Sequence, residues 1–257
     1  MRVEKYSKIS GNRYKVYFES GGVATLYDDV IIKYELLLNP NLSEHVFMEL
    51  VAYNEALSVY YKAIKYLGVK MRSALEVSKY LSKLGYSEDL INSTVLKLNN
   101  EGYLSEDAYA KAYINDQVNL SSNGLYKIRR NLVELGIAED IIDKHLNCFD
   151  VSFWNERMIK IVDKKITFTK NESSKKIKEK LINYLNNLGY EMNEVIKYVT
   201  TIEISNNSDL IEKEGNKILF KLKKKYNGYD LRKHFFSKMY QKGFEQDEIN
   251  SYIDRNF

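Results

Sequence analysis

The side chains of this 257-residue chain that could act on another molecule are clusters of lysine and arginine. Such side chains bind phosphate oxygens and release the counterions of a nucleic acid, without preference for base sequence. We therefore predict binding to phosphates or to another acidic surface. A run of charges is also what an ordinary solvated helix face looks like, and that alternative stays open. The candidate binding residues are Lys127, Arg129, Arg130, Lys175, Lys176, Lys180, Lys223, Lys224, Lys225, Arg232 and Lys233.

No group of residues suggests catalysis or a metal site. His45, His145 and His234 are far apart in the sequence and lack the spacing of metal ligands. Cys148 is the single cysteine, which excludes an internal disulfide and a cysteine zinc site. The pair Gly21-Gly22 is typical of a hairpin turn and not of a phosphate-binding loop. We expect no enzyme activity, no catalytic residue, no metal and no cofactor.

Four copies of one short pattern must position the basic clusters. Each copy has an apolar residue four positions before a glycine, a large apolar residue directly after that glycine and, three residues later, Asp or Asn. The intervals between the glycines are 51, 53 and 54 residues. A period near fifty with helical spacing predicts an array of helical repeats. The repeat glycines are Gly85, Gly136, Gly189 and Gly243.

The second copy shows what each repeat is. Leu125, Ile128, Leu132 and Leu135 lie on one face of a predicted helix, and Gly136 follows as its left-handed C-terminal cap. A preceding helix from about 106 to 119 and a following helix from about 139 complete a three-helix unit. The first copy opens with a predicted capping box, Ser73 with Glu76, and Ser87 is a predicted N-cap. The later copies predict helices at 153–165, 174–188, 192–200, 209–225, 229–242 and 246–256.

The first fifty residues follow a different pattern. Segments 5–9, 13–19 and 22–27 are short, rich in Val, Ile, Tyr and Thr, and separated by glycine turns, which predicts a small antiparallel sheet. Residues 28–38 are predicted helical, and Pro40 to Ser43 form a turn before a long helix towards Leu67. The predicted fold is mainly α, with tandem helix-turn-helix-like repeats in an elongated array and a small β-rich N-terminal extension. The predicted ranges are 1–50, 51–104, 105–150, 151–203 and 204–257.

Composition and charge narrow the function. Hydrophobic residues make up 44% and charged residues 29%, with no apolar run long enough to cross a membrane and no signal-peptide core at the N-terminus. We expect a cytoplasmic protein with no membrane partner. Residues 1–150 carry 18 basic and 20 acidic side chains, whereas residues 151–257 carry 21 and 15. The basic character is therefore concentrated in the third and fourth repeats, which favours a nucleic acid or an acidic partner.

Segment 102–110 reads Gly-Tyr-Leu-Ser-Glu-Asp-Ala-Tyr-Ala, and Lys127-Ile128-Arg129 is followed by Leu132 and Gly136-Ile137. Both segments resemble sequence patterns of the RecX family. Arg72-Ser73 with Glu76 resembles the start of the family's first repeat. The likeness is best over 55–150 and rests on the repeat pattern alone over 151–257. Two departures stand out: Leu125 follows Gly124 where the family has Pro, and Asn131 replaces Glu.

The resemblance implies a non-enzymatic regulator of the RecA recombinase. Such a protein lies along the RecA filament on single- or double-stranded DNA and inhibits its recombinase, ATPase and coprotease activities in DNA repair and the SOS response. The repeat array predicts an elongated monomer, and the basic clusters predict phosphate contacts with single- and double-stranded DNA. A DNA-binding regulator of transcription remains the alternative, because three-helix units can present a recognition helix.

Overall fold

The structure, a computed structural model, describes residues 1–167, 172–204 and 208–257. The chain forms two compact units. Unit 1 comprises Met1–Tyr109 with Leu135–Ile137, and unit 2 comprises Ala110–Glu134 with Ala138–Phe257.

Three strands begin unit 1 and form an antiparallel sheet in the order β1-β2-β3. They are β1 (Val3–Ser10), β2 (Arg13–Phe18) and β3 (Val23–Tyr27). Helix α1 (Asp28–Lys33) follows, and α2 (Glu44–Leu67) begins at the N-cap Ser43, whose hydroxyl accepts from the N–H of Val46. The buried face of the sheet, α1 and the first half of α2 share one core, so the N-terminal extension is an integral part of unit 1.

The second half of α2 packs against α3 (Ala74–Lys83) and α4 (Glu88–Asn100) to form the first three-helix repeat. Its core contains Val59, Ala63, Val77, Leu81, Ile91, Leu98 and Leu104. The predicted capping box is confirmed, because Ser73 and Glu76 exchange hydrogen bonds of 2.9 and 3.2 Å. The Glu76 carboxylate also accepts from the hydroxyl of Tyr109 at 3.0 Å. Burial acts to raise the pKa of Glu76, but these hydrogen bonds and nearby Lys70 and Arg72 outweigh it and lower that pKa.

The helices that follow come in consecutive groups of three. The first residues of α5 belong to unit 1 and the rest of these helices to unit 2. Helices α8, α9 and α10 pack against one another, as do α11, α12 and α13. The bounds are α5 (Glu106–Leu120), α6 (Leu125–Glu134), α7 (Glu139–Leu146), α8 (Val151–Thr167), α9 (Ser174–Leu188), α10 (Met192–Thr201), α11 (Ser208–Leu222), α12 (Gly228–Gln241) and α13 (Gln246–Asn256).

The last repeat has a core of its own within unit 2. The ring of Phe235 stacks on that of Tyr252 with 5.0 Å between centroids, and both side chains are fully buried. A Cβ at Gly215 would lie 2.6 Å from the Tyr252 ring, so this ring packs directly on the backbone of α11. The Tyr252 hydroxyl donates to Asn216 Oδ1 at 2.7 Å, which satisfies the polar end of a buried side chain.

The predicted mainly α fold of three-helix repeats with a small N-terminal sheet is confirmed, with three local differences. The helix predicted over 28–38 ends at Lys33, and Glu35 turns the chain with a φ of 49°. Ser87 precedes α4, but its side chain makes no capping hydrogen bond. The helix predicted over 209–225 ends at Leu222.

The five predicted ranges remain a prediction. Helix α2 crosses the boundary predicted at residue 50 and contributes to two cores. Residues 168–171 and 205–207, in the predicted third and fourth repeats, lie outside the described residues.

Candidate nucleic-acid interface

The second helices of the repeats are α3, α6, α9 and α12, and α6, α9 and α12 carry basic side chains of the clusters. Each of these helices is followed by its repeat glycine, whose φ is 85°, 79°, 77° and 87° in chain order, which confirms the predicted left-handed conformation. In three copies the residue after the glycine donates its N–H to the carbonyl five residues earlier, as in a Schellman cap. These bonds are Tyr86 to Leu81 (3.5 Å), Tyr190 to Leu185 (3.2 Å) and Phe244 to Met239 (3.3 Å).

The glycine turn after α9 packs on the start of α6, within unit 2. Gly124 N–H donates to the carbonyl of Leu188 at 2.7 Å, and Tyr126 N–H donates to that of Gly189 at 3.0 Å. A Cβ at Gly189 would lie 2.4 Å from the backbone nitrogen of Lys127, and a Cβ at Gly124 would lie 2.6 Å from the carbonyl oxygen of Gly189. Both positions therefore require glycine for close approach of two backbones.

The same arrangement recurs at the next junction. The Ser173 hydroxyl, just before α9, donates to the carbonyl of Lys242 at 2.7 Å, and a Cβ at Gly243 would lie 2.6 Å from that hydroxyl oxygen. Within unit 1, a Cβ at Gly136 would lie 3.2 Å from the Cβ of Leu75 in α3. We call each of these contacts, in which a glycine turn packs on the first turn of the preceding repeat's second helix, a repeat joint. At the Gly189 and Gly243 joints the carbonyls of one helix end meet donor groups at the N-terminal end of another helix, which is a favourable polarity.

The α6 cluster divides between structure and surface. The Arg129 guanidinium is one-third exposed and forms an ion pair with Asp143 of α7, with Glu139 at 4.0 Å. Arg130 is mostly exposed, and its only ion-pair contact within the described residues is Glu134 at 3.9 Å. Lys127 is half-buried at the joint. Lys127 and Arg130 line an open cavity of about 490 Å³ together with residues of the Gly189 turn.

The α9 cluster lies in the first turns of its helix. Lys175 and Lys176 are exposed, and no acidic residue stands in this first turn. Lys175 Nζ lies 5.3 Å from the centroid of the Tyr240 ring. Lys180 Nζ lies 2.5 Å from Glu172, and Lys178 donates to the carbonyl of Thr200 at 3.1 Å. Lys175 and Lys176 therefore combine exposure with freedom from ion pairing among the described residues.

The third cluster straddles the end of α11 and the start of α12. Lys223, Lys224 and Lys225 are exposed in the turn after α11, because that helix ends earlier than predicted. Lys224 Nζ lies 4.5 Å from the Phe220 ring centroid. Arg232 and Lys233 are exposed on α12, which is the second helix of its repeat.

Only some of the basic residues occupy equivalent positions. Lys127 and Lys180 each stand nine residues before their repeat glycine, and each lines the cavity at its own joint. The cavity that Lys180 lines measures about 400 Å³, and Lys176 and Glu214 also line it. Hydrogen bonds from Lys217 and Lys242 lower the pKa of Glu214 to about 2, so it is an anion at neutral pH. Carboxylates therefore neutralise part of the positive charge at this joint.

Sequence reasoning missed residues that tie the helices of unit 2 together. The Arg157 guanidinium of α8 donates to the carbonyls of Val118 and of Ser121, the latter at 2.9 Å, at the end of α5. Asn131, where the family pattern has Glu, donates to the Tyr113 hydroxyl at 3.1 Å. Arg157 has no motif that could signal it. The sequence did contain a signal for Gly124, because Gly124-Leu125 keeps the glycine of the Gly-Pro pair that the family has there.

Two further observations concern other kinds of site. The described residues contain no group of three or more His, Cys, Asp and Glu side chains that could hold a metal ion. None of the helices in the described part of the chain is long and apolar enough to span a membrane.

Fold and surface together define a tandem three-helix repeat protein with basic side chains exposed on its helices. The family model for the first three-helix domain of RecX matches residues 60–98, and that for the second matches residues 105–146. Over these two domains the chain is similar to the RecX family.

Relatives extend the likeness to nearly the whole chain. The regulatory protein RecX of Oceanobacillus iheyensis is 25% identical over 254 residues, covering 95% of this chain and 93% of that protein. The Limosilactobacillus reuteri protein of the same name is 26% identical, covering 97% of each chain. A crystal structure of regulatory protein RecX aligns with a TM-score of 0.65 at 22% identity, over 78% of this chain and 99% of the other. RecX from Lactobacillus salivarius aligns with a TM-score of 0.51 at 23% identity, over 58% and 99%. At this identity the two structures support the fold alone.

Proposed function

We propose that this protein binds the RecA recombinase filament on DNA and inhibits its recombinase, ATPase and coprotease activities in DNA repair and the SOS response. The observation that carries the proposal is similarity to the RecX family, because two RecX domain models match this chain and relatives similar along most of its length are named regulatory proteins. The protein acts by binding, without catalysis or a cofactor. Its place is the cytoplasm, and its working form is a monomer.

The exposed lysines supply a physical reason for filament binding. Lys175 and Lys176 on α9, Lys223 and Lys225 after α11, and Lys233 on α12 are exposed and make no ion pair within the described residues. Each can reach a phosphate of single- or double-stranded DNA without breaking an ion pair within the described residues. Phosphate contacts from several repeats act together, because each releases counterions independently of base sequence.

The test is co-sedimentation with purified RecA assembled on single-stranded DNA with a non-hydrolysable nucleotide. We expect the protein to sediment with the filament, and less protein to sediment with the same DNA lacking RecA. Equal binding with and without RecA would contradict the proposal. Sequence-selective binding to duplex DNA in the absence of RecA would instead support the alternative, a DNA-binding transcription regulator.

A further inference from the structure

The Gly189 joint has a crevice whose lining can be followed by position. At the Gly189 joint, the crevice is lined on one side by residues three and two before the glycine and one and three after it. The first turns of α6, with Tyr126 and Lys127, line the opposite side. The carbonyls of Leu188 and Gly189 accept hydrogen bonds there from N–H groups at the start of α6. The crevice is therefore built to hold the first turn of a helix.

The first repeat has the same crevice, but only one of its sides. Here the lining positions are Ser82, Lys83, Tyr86 and Glu88, which stand three and two before Gly85 and one and three after it. The cavity measures about 540 Å³, and all of its lining residues belong to α3, α4 and the turn between them. Within unit 1, nothing lies within 4 Å of a Cβ built on Gly85. We call this surface the Gly85 crevice.

The charge of the Gly85 crevice indicates which kind of ligand it binds. Lys79 and Lys83 line it, and Lys62 Nζ lies over the ring of Tyr86, 4.7 Å from its centroid. Glu88 is its one acidic lining residue. The first turn of a helix carries free N–H groups and is commonly rich in Asp and Glu. Such a turn complements both the carbonyls of Leu84 and Gly85 and the lysines of the rim.

We propose that the Gly85 crevice binds the first turn of a helix on a RecA subunit, one that carries acidic side chains. The proposal rests on the proposed function for the identity of the partner. In this interaction the partner's helix takes the place that the start of α6 takes at the Gly189 joint. The incoming N–H groups donate to the carbonyls of Leu84 and Gly85, and its carboxylates face Lys79 and Lys83.

Two substitutions test the crevice in different ways. Ser82→Trp fills it without a change in charge, and Lys83→Glu reverses the charge of its rim; both side chains are exposed. The control is Lys65→Glu, the same charge reversal at an exposed position of α2 in the same unit. We expect each crevice variant to weaken binding to the RecA filament by about tenfold, and the control by less than about twofold. Circular dichroism and thermal melting check that all three variants fold.

A photo-crosslinking amino acid in place of Lys83 identifies the occupant directly. Crosslinks to the first turn of a RecA helix, mapped by mass spectrometry, are the expected result. Crosslinks to a RecA strand, to DNA or to a second copy of this protein would overturn the proposal. If the parent binds RecA and both crevice variants bind equally well, this inference fails and the proposed function stands. If the parent does not bind RecA at all, both fail.

Discussion

At the scale of single residues, a repeat glycine meets two separate requirements. The first is conformational, because the turn after each second helix needs a positive φ. The second is spatial, because at Gly189 two backbones approach more closely than any Cβ allows. Gly85 shares the first requirement, with a φ of 85°, and lacks the second. These two glycines therefore separate the effect of the turn from the effect of the joint.

We predict that Gly189→Ala destabilises the protein more than Gly85→Ala does. Both changes place a Cβ at positive φ, at a cost of roughly 1–2 kcal/mol. Only Gly189→Ala also forces the start of α6 away, which adds roughly 1–3 kcal/mol, as overpacking does elsewhere. Urea unfolding of the two variants measures the difference. Equal midpoints would show that the joint contributes nothing to stability.

The sequence predicted the first requirement and missed the second, for a physical reason. A glycine after a helical run of apolar residues indicates a left-handed cap from local sequence alone. The close approach of Gly124 to Gly189 joins residues far apart in the chain, and a single sequence contains no local signal for such a contact. The same reason explains why Arg157 was missed.

At the scale of elements, Arg129 and Arg130 are neighbours on α6 with different roles. Arg129 joins α6 to α7 through Asp143, whereas Arg130 projects from the surface. We predict that Arg129→Ala lowers the free energy of unfolding by about 1 kcal/mol, the usual worth of a partly exposed ion pair with a hydrogen bond. Arg130→Ala should leave it within about 0.5 kcal/mol. Thermal melting of the pair checks this, and a stable Arg129→Ala variant would return Arg129 to the binding surface.

The stability of the protein should depend on pH through Glu214 of α11. Its pKa is lowered from an ordinary value of 4.5 to about 2 by Lys217 and Lys242, so the folded state favours the anion. The resulting stability is present above pH 4.5 and is lost as the pH falls towards 2. Glu214→Gln should therefore melt at a lower temperature than the parent at pH 6. At pH 2.5 the difference between the two melting temperatures should be smaller. Glu212→Gln, at an exposed pair with Arg255, is the control for loss of a carboxylate; a constant gap for Glu214→Gln would refute the assignment.

Most helices were predictable because their apolar periodicity and caps are local. The predicted range of α9 is the observed one, and α13 and α10 differ by a residue at most. The helix predicted at 28–38 failed because its second half, around Glu35, forms turns that support the sheet instead: the Tyr6 hydroxyl donates to the carbonyl of Leu36 at 2.9 Å. The end of α11 was misplaced because four lysines have good helix propensity and leave no stop signal.

At the scale of the whole molecule, the unequal distribution of charge is the feature most open to test. We predict that replacing Lys175, Lys176 and Lys180 by Ala weakens binding to the RecA filament and flattens its dependence on salt. The slope should fall by up to about 2, at about 0.7 for each contact to single-stranded DNA. The control replaces Lys5, Lys15 and Lys65, which are exposed in unit 1, and removes the same charge. Equal slopes for both triple variants would show that the lysines of α9 have no specific role.

Inhibition of RecA is measured most simply by titrating this protein into RecA on single-stranded DNA. ATP hydrolysis and strand exchange are followed in parallel, with the protein in excess over RecA. We expect both rates to fall as the protein is added. The variant with Lys175, Lys176 and Lys180 replaced by Ala should inhibit only at higher concentration. Unchanged rates at every concentration of a folded parent protein would contradict it.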